Sequence, residues 1–174
     1  MNFELSKALR PLAIFICAAL VLACAEQENL EKPAPASLTR EDTGYFCGMI
    51  VDDHQGPKSQ IYTAGQNKPI WFTTVRDGIA FTLLPEETGI VSAFYVTAMD
   101  NGEWQHPEAR PSNWIEADQA WYVVQSSKLG SMGAAETIPF IDQQAAEEFT
   151  SEFGGVVLRL NDISQHYVLG PASR

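Results

Sequence analysis

Cys47-Gly48-Met49, followed by His54, places a thiol, a thioether and an imidazole within eight residues. On an extended strand, positions 47 and 49 project from one face, so two sulfur atoms can meet the same ion while Gly48 leaves the backbone between them clear. The turn through Asp52 and Asp53 could then fold His54 back. Thiolate and thioether are soft donors that favour Cu(I) over hard cations, and an imidazole completes a three-coordinate site. The same residues also fit a purely structural description, because Cys and Met bury readily in cores and His54 can be an ordinary loop histidine. Two further readings remain open at this level: Cys47 as a nucleophile with His54 as its base, in a thiol-dependent lyase or hydrolase, or a metal-free module that binds a partner.

Compartment bears on the choice. Residues 1–23 have the form of a secretory signal, with Lys7 and Arg10 ahead of an apolar run from Leu12 to Ala23. Those twelve residues are too few for a bilayer span, which needs roughly 20. The run ends Leu20-Val21-Leu22-Ala23-Cys24, which resembles a bacterial lipobox, with Leu22 bulkier than the commonest residue there. Cleavage before Cys24 would remove Cys17, make Cys24 the lipidated N-terminus and leave Cys47 as an unpaired thiol in an oxidising compartment, where it needs burial or a task. Ala25 carries no inner-membrane retention signal, so the expected location is the periplasmic side of a membrane, with the outer membrane favoured. Residues 24–43 carry Glu26, Glu28, Glu31, Lys32, Pro33 and Pro35 and few large apolar side chains, and are expected to form a flexible tether.

The remaining chain must position these groups. Of its 174 residues 45% are apolar, and with 4 Trp, 5 Tyr and 9 Phe it can bury a core. Tyr45 to Val51 reads as a strand running into a turn at Gln55 to Lys58, and Gln60 to Thr63 and Ile70 to Thr73 as short strands. Thr74-Val75-Arg76-Asp77 then opens a helix that Pro85 stops, and Ile90 to Met99 is strand-like. After a polar stretch the order recurs: strands at Trp121 to Gln125 and Ile138 to Ile141, a helix capped by Asp142 and ended by Gly154-Gly155, and a strand at Val156 to Leu160. Phe72 and Phe140 lie 68 positions apart, as do Phe81 and Phe149, which aligns the two strand-to-helix units without a gap. The expected fold is α+β, built from two strand-strand-helix-strand (ββαβ) units at 44–99 and 119–174 joined by a connecting loop at 100–118.

The 22 acidic against 11 basic residues give a net charge of −11, which repels phosphate backbones and makes nucleic acid an unexpected partner. Loss of the signal removes Glu4, Lys7 and Arg10 and leaves the chain one unit more negative. Met99 is expected in the core, and His106 and His166 at the surface. Glu86-Glu87 and Glu147-Glu148 are expected to be solvated, and Lys58 to hold an acidic neighbour or a partner surface. There is no glycine-rich phosphate loop, nucleophile elbow or Cys-x-x-Cys pair.

Tyr45-Phe46-Cys47-Gly48-Met49 with Asp53-His54-Gln55-Gly56-Pro57-Lys58-Ser59-Gln60-Ile61 resembles the signature of the NosL family of lipoprotein accessory factors for nitrous oxide reductase. The similarity continues through Ile70-Trp71-Phe72, Val75-Arg76-Asp77, Met132-Gly133 and Pro139-Phe140, and with the lipobox it covers nearly the whole chain. The resemblance implies a fold like that of organomercurial lyase and a periplasmic, non-enzymatic copper chaperone. Its implied cargo is Cu(I), delivered for the copper-sulfur catalytic centre of nitrous oxide reductase in concert with an ABC-type membrane complex. It also implies metal ligation by Cys47, Met49 and His54, with Met132 as the most plausible distant soft donor. Organomercurial lyase chemistry itself depends on more than one active-site cysteine, and this chain keeps one unlipidated Cys after processing.

Overall fold

The computed structural model describes residues 32–84 and 89–170, and the structural statements below concern these. The signal segment, Cys24, the start of the expected tether, Pro85 and Glu86-Glu87 lie outside them.

The order ββαβ occurs twice. Strand β1 (Ser59–Thr63) pairs antiparallel with β2 (Ile70–Phe72) on one side and β3 (Val91–Thr97) on the other, and helix α1 (Val75–Leu83) links β2 to β3. The short strand β4 (Trp114–Glu116) then adds antiparallel to β3, giving the sheet order β2-β1-β3-β4. In the second unit β5 (Trp121–Val124) lies between β6 (Ile138–Phe140) and β7 (Val156–Arg159), both antiparallel to it, and helix α2 (Gln143–Phe153) links β6 to β7. The short helix α3 (Gln165–Leu169) follows. The offset of 68 holds for β2 against β6 and for the starts of α1 and α2.

Both helix starts follow from their caps. The Thr74 hydroxyl accepts a hydrogen bond from Asp77 N and the Asp142 carboxylate one from Gln144 N, each satisfying a donor that the first turn leaves open. Gly154, at φ +67°, ends α2 in a conformation that costs glycine little.

One core joins the units. Val75 and Ile79 of α1 and Val96 of β3 pack with Ala120, Tyr122 and Val124 at β5 and with Ile163 and Val168 near the C-terminus. The opposite face of the first sheet gathers Val51, Tyr62, Trp71, Ala93, Tyr95 and Trp114. Met99 is buried among Val123, Ile138, Phe140 and Ala146, as expected of a core methionine. Full burial of side chains such as Phe72 and Phe140 contributes roughly 1.5–3 kcal/mol each.

Two expected boundaries differ in the structure. The segment from Lys32 onward is not a free tether but a strap across the first sheet. Gln60, fully buried in β1, accepts from Ala36 N (2.8 Å) and donates to Ala36 O (3.1 Å). The hydroxyls of Tyr62 and Tyr95 donate to Ala34 O (3.1 Å) and Pro33 O (2.6 Å), Lys32 pairs with Glu116, and Ala36 and Leu38 pack on the Trp71–Trp114 cluster. A buried primary amide must find partners, and the strap backbone provides them. The stretch 100–118 is likewise more than a loop, because it carries 3-10 turns at Pro107–Ala109 and Pro111–Asn113 and then β4. Among the described residues no helix is long and apolar enough to cross a membrane.

Candidate metal centre

The Cys47 segment is a closed loop, not the expected strand. Gly44 N donates to Met49 O (2.9 Å), Gly48 N to Gly44 O (2.7 Å) and Val51 N to Asp42 O (3.0 Å), while Tyr45 N ties the loop to Trp71 O (2.8 Å). Gly48 sits at φ +66°, a left-handed conformation that a strand does not contain and that side-chain-bearing residues rarely adopt. Cys47 and Met49 therefore do not project from one strand face. They flank a turn, and Val51–Asp53 continues as a 3-10 helix.

The thiol is half-buried and lightly held. Its Sγ lies 3.7 Å from Thr73 Oγ1 and 3.9 Å from Gly44 O. Gly44 is required here, since a Cβ at that position would stand 2.7 Å from the sulfur and 3.0 Å from Thr73 Cγ2. The Met49 side chain is 38% exposed, within reach of an incoming ligand.

Tyr45 and Phe46 flank the thiol in sequence and rest on the core below. Tyr45 meets Phe72 and Phe81, and Phe46 meets Phe72, at centroid distances of 5.4–6.1 Å.

His54 is half-buried and follows the 3-10 turn, its backbone N–H donating to Val51 O (3.1 Å). Among the described residues the polar contacts of Cys47 are with Gly44 and Thr73, not with His54. Two residues further on, Gly56 N donates to Trp104 O (2.6 Å) and Gly56 O accepts from the fully buried Lys58 Nζ (2.9 Å). Lys58 also faces Glu108 Oε2 at 3.4 Å, which is the acidic neighbour that the sequence allowed for it. Burial lowers the Lys58 pKa, and the Glu108 charge opposes that shift.

Met132 stands on the tip of a small hairpin and is 52% exposed. Leu129 bridges Ala135, Gly130 N donates to Ala134 O (2.9 Å), and Gly133 N donates to Gly130 O (3.0 Å). At its base the fully buried Glu136 accepts from Arg76 N (3.2 Å) and Thr137 N (2.8 Å) through Oε1. Burial pushes the Glu136 carboxyl up to about 8, against those two hydrogen bonds. Arg76 opens the same helix that follows Thr73. The Cys47 thiol and the base of the Met132 hairpin thus both meet residues at the N-terminal end of α1, Thr73 and Arg76.

Sequence spacing missed a second donor cluster. Ligand atoms of Asp52, His106 and Glu108 lie within 4.8 Å of one another, with His106 Nδ1 3.2 Å from Glu108 Oε1 and 4.0 Å from Asp52 Oδ1. These are oxygen and imidazole donors from segments more than 50 residues apart, which spacing along the chain does not connect. Arg40 already sits on Asp52 (3.2 Å) and Lys58 on Glu108, so cations of the chain neutralise both carboxylates. The softer donors are the sulfur atoms of Cys47 and Met49.

Two antiparallel ββαβ units thus carry a half-buried thiol and an exposed thioether on one loop. The chain belongs to the NosL family, whose model matches residues 35–168. It is 38% identical over 161 residues to the copper-binding lipoprotein NosL of Achromobacter cycloclastes, covering 91% of this chain and 82% of that protein. It is 32% identical over 152 residues to the copper-binding lipoprotein NosL of Stutzerimonas stutzeri, covering 86% and 77%. The crystal structure of the copper chaperone NosL from Shewanella denitrificans superposes with a TM-score of 0.69 at 34% identity, covering 77% of this chain and 97% of that one. The α+β architecture and the family resemblance read from the sequence both stand.

Proposed function

We propose that this protein is a membrane-anchored Cu(I) carrier that supplies copper for the copper-sulfur centre of nitrous oxide reductase, working with an ABC-type membrane complex. Cys24 is its lipidated N-terminus and the periplasmic side of a membrane its location, the outer membrane being favoured by Ala25. Cys47 and Met49 hold the ion, His54 supplies the imidazole, and Met132 closes over it from the second unit.

The observation that carries this reading is the state of the thiol. It is half-exposed, held by two long contacts and flanked by an exposed thioether. A carrier needs a site that binds softly and stays open to an incoming ligand; a closed four-ligand cage would release metal slowly. The printed names of the relatives, copper-binding lipoproteins and a copper chaperone, support the same cargo.

The test is an anaerobic Cu(I) titration of residues 25–174 against a chromogenic chelator, for the wild type and for Cys47→Ser, Met49→Ala, His54→Ala and Met132→Ala. One-to-one binding that weakens roughly tenfold or more in Cys47→Ser is expected. Because the thiolate forms by losing a proton, affinity falls as pH falls. Unchanged affinity in Cys47→Ser would overturn the site.

A further inference from the structure

A carrier that hands over its ion by ligand exchange must let the acceptor's donor atoms reach the metal. The surface around Cys47 is therefore part of any transfer contact, and its composition describes the acceptor. Three large apolar side chains stand out there: Tyr45 is 48% exposed, Phe46 44% and Met49 38%. Tyr45 and Phe46 pack edge to face with each other at 5.2 Å, and both rest on Phe72, so they are held outward by the core beneath. Ordered aromatics and a methionine brought together at the surface are the composition of an interface centre, and the entropy of ordering them is already spent in the free protein.

The border of this face is acidic. An open groove of about 430 Å³ adjoins it, lined by Glu41 and Asp42 together with Tyr45, Ile70 and Trp71. Among the described residues neither Glu41 nor Asp42 has a cationic partner: Asp42 accepts from Thr39, and the nearby Arg40 is committed to Asp52 (3.2 Å) and Asp53 (3.1 Å). Two carboxylates beside an apolar centre favour a partner that brings lysine or arginine to the rim, which speeds encounter and fixes its orientation.

We infer that the face formed by Tyr45, Phe46 and Met49, with Glu41 and Asp42 at its rim, is the docking surface for the copper-accepting protein, and that this acceptor presents an apolar centre with a basic border. The inference rests on the carrier reading above and specifies the partner of its site.

The experiment uses the full-length lipidated chain in detergent micelles, with metal-free nitrous oxide reductase and the purified ABC-type complex as the two acceptors. Docking affinity is measured without copper, and the rate of Cu(I) transfer is measured to each acceptor and to a small chelator. Tyr45→Ser/Phe46→Ser is expected to weaken docking to the true acceptor and slow transfer to it tenfold or more, with transfer to the chelator within about twofold of wild type. Glu41→Lys/Asp42→Lys should do the same at low salt and flatten the loss of wild-type docking between 50 and 500 mM NaCl, a range that shortens the screening length about threefold. Docking to both acceptors that neither double variant alters, or no docking to either, overturns the surface. Docking that depends on the aromatic pair in a chain that fails to hold Cu(I) supports the surface and overturns the copper reading instead.

Discussion

The two ββαβ units share an element order, a 68-residue offset and helix caps of the same kind, yet they differ in what they add to that frame. In the first unit the connection between the paired strands is short, residues 64–69, and the addition comes before the unit as the strap and the Cys47 loop. In the second the equivalent connection runs over 125–137 and rises into the Met132 hairpin. The repeated frame makes the core, and the unrepeated insertions carry the soft donors. Both insertions meet the chain at the N-terminal end of α1, the Cys47 thiol beside Thr73 and the base of the Met132 hairpin through the bond from Arg76 N to Glu136.

The largest effects should test whether the units form one body. Phe72→Ala and Phe140→Ala, at equivalent buried positions, should each destabilise by about 3–5 kcal/mol. Far-ultraviolet dichroism and tryptophan fluorescence should lose their signals in one coincident transition, because Val75, Val96, Tyr122 and Val124 share a core. Two separated transitions would break the picture of a fused pair.

Lys58 has no counterpart in the second unit. Lys58→Met should cost about 3–5 kcal/mol in denaturant unfolding by leaving the Glu108 carboxylate buried without its cation, and Lys58→Met/Glu108→Leu should recover most of that loss. A double variant as unstable as the single would mean that the lysine matters through its bond to Gly56 O instead.

Glu136 ties the second unit's insertion to the first unit's helix, and its titration is a smaller, signed effect. Its folded pKa of about 8 stands above the ordinary 4.5, so the folded state holds its proton more tightly than the unfolded state. The stabilisation is fully present below pH 4.5, falls as pH rises through 8 and is lost beyond. Glu136→Gln, which keeps an acceptor for Arg76 N and Thr137 N, should flatten stability against pH over that window; an unaltered slope would assign it to other groups. The smallest effect belongs to the exposed tip. Met132→Ala should weaken Cu(I) by less than about tenfold (1.4 kcal/mol) with no change in Tm. A loss as large as that of Cys47→Ser would make the two insertions equal partners in the site.

Much of the frame was legible because it rests on local chemistry. Thr74 and Asp142 announce their helices, Gly154-Gly155 ends one, and the alternation of turn residues with β-branched and aromatic runs marks the strands. The Cys47 loop was misread because Tyr45 to Val51 has strand composition, whereas its backbone is decided by Gly48 at positive φ and by bonds to Asp42 and Trp71. The strap was misread for a similar reason. Lys32 to Leu38 is polar and proline-bearing, and nothing in it signals that Gln60, Tyr62 and Tyr95, more than 20 residues away, will bind its carbonyls. The Asp52, His106 and Glu108 cluster is a product of tertiary folding alone. Residue types and the family resemblance could nominate Cys47, Met49, His54 and Met132 as candidate donors, but could not show that Thr73, beside the thiol, and Arg76, bonded at the base of the Met132 hairpin, stand at one helix end.

The strap also sets a leash. If Cys24 is the acylated N-terminus of the proposed function, the seven residues between it and Lys32 limit the reach of the strap's start to at most about 28 Å. On that proposal the protein would patrol a thin layer at the bilayer surface instead of sampling the depth of its compartment. Within that layer an acceptor held at the same membrane would meet it at a raised local concentration.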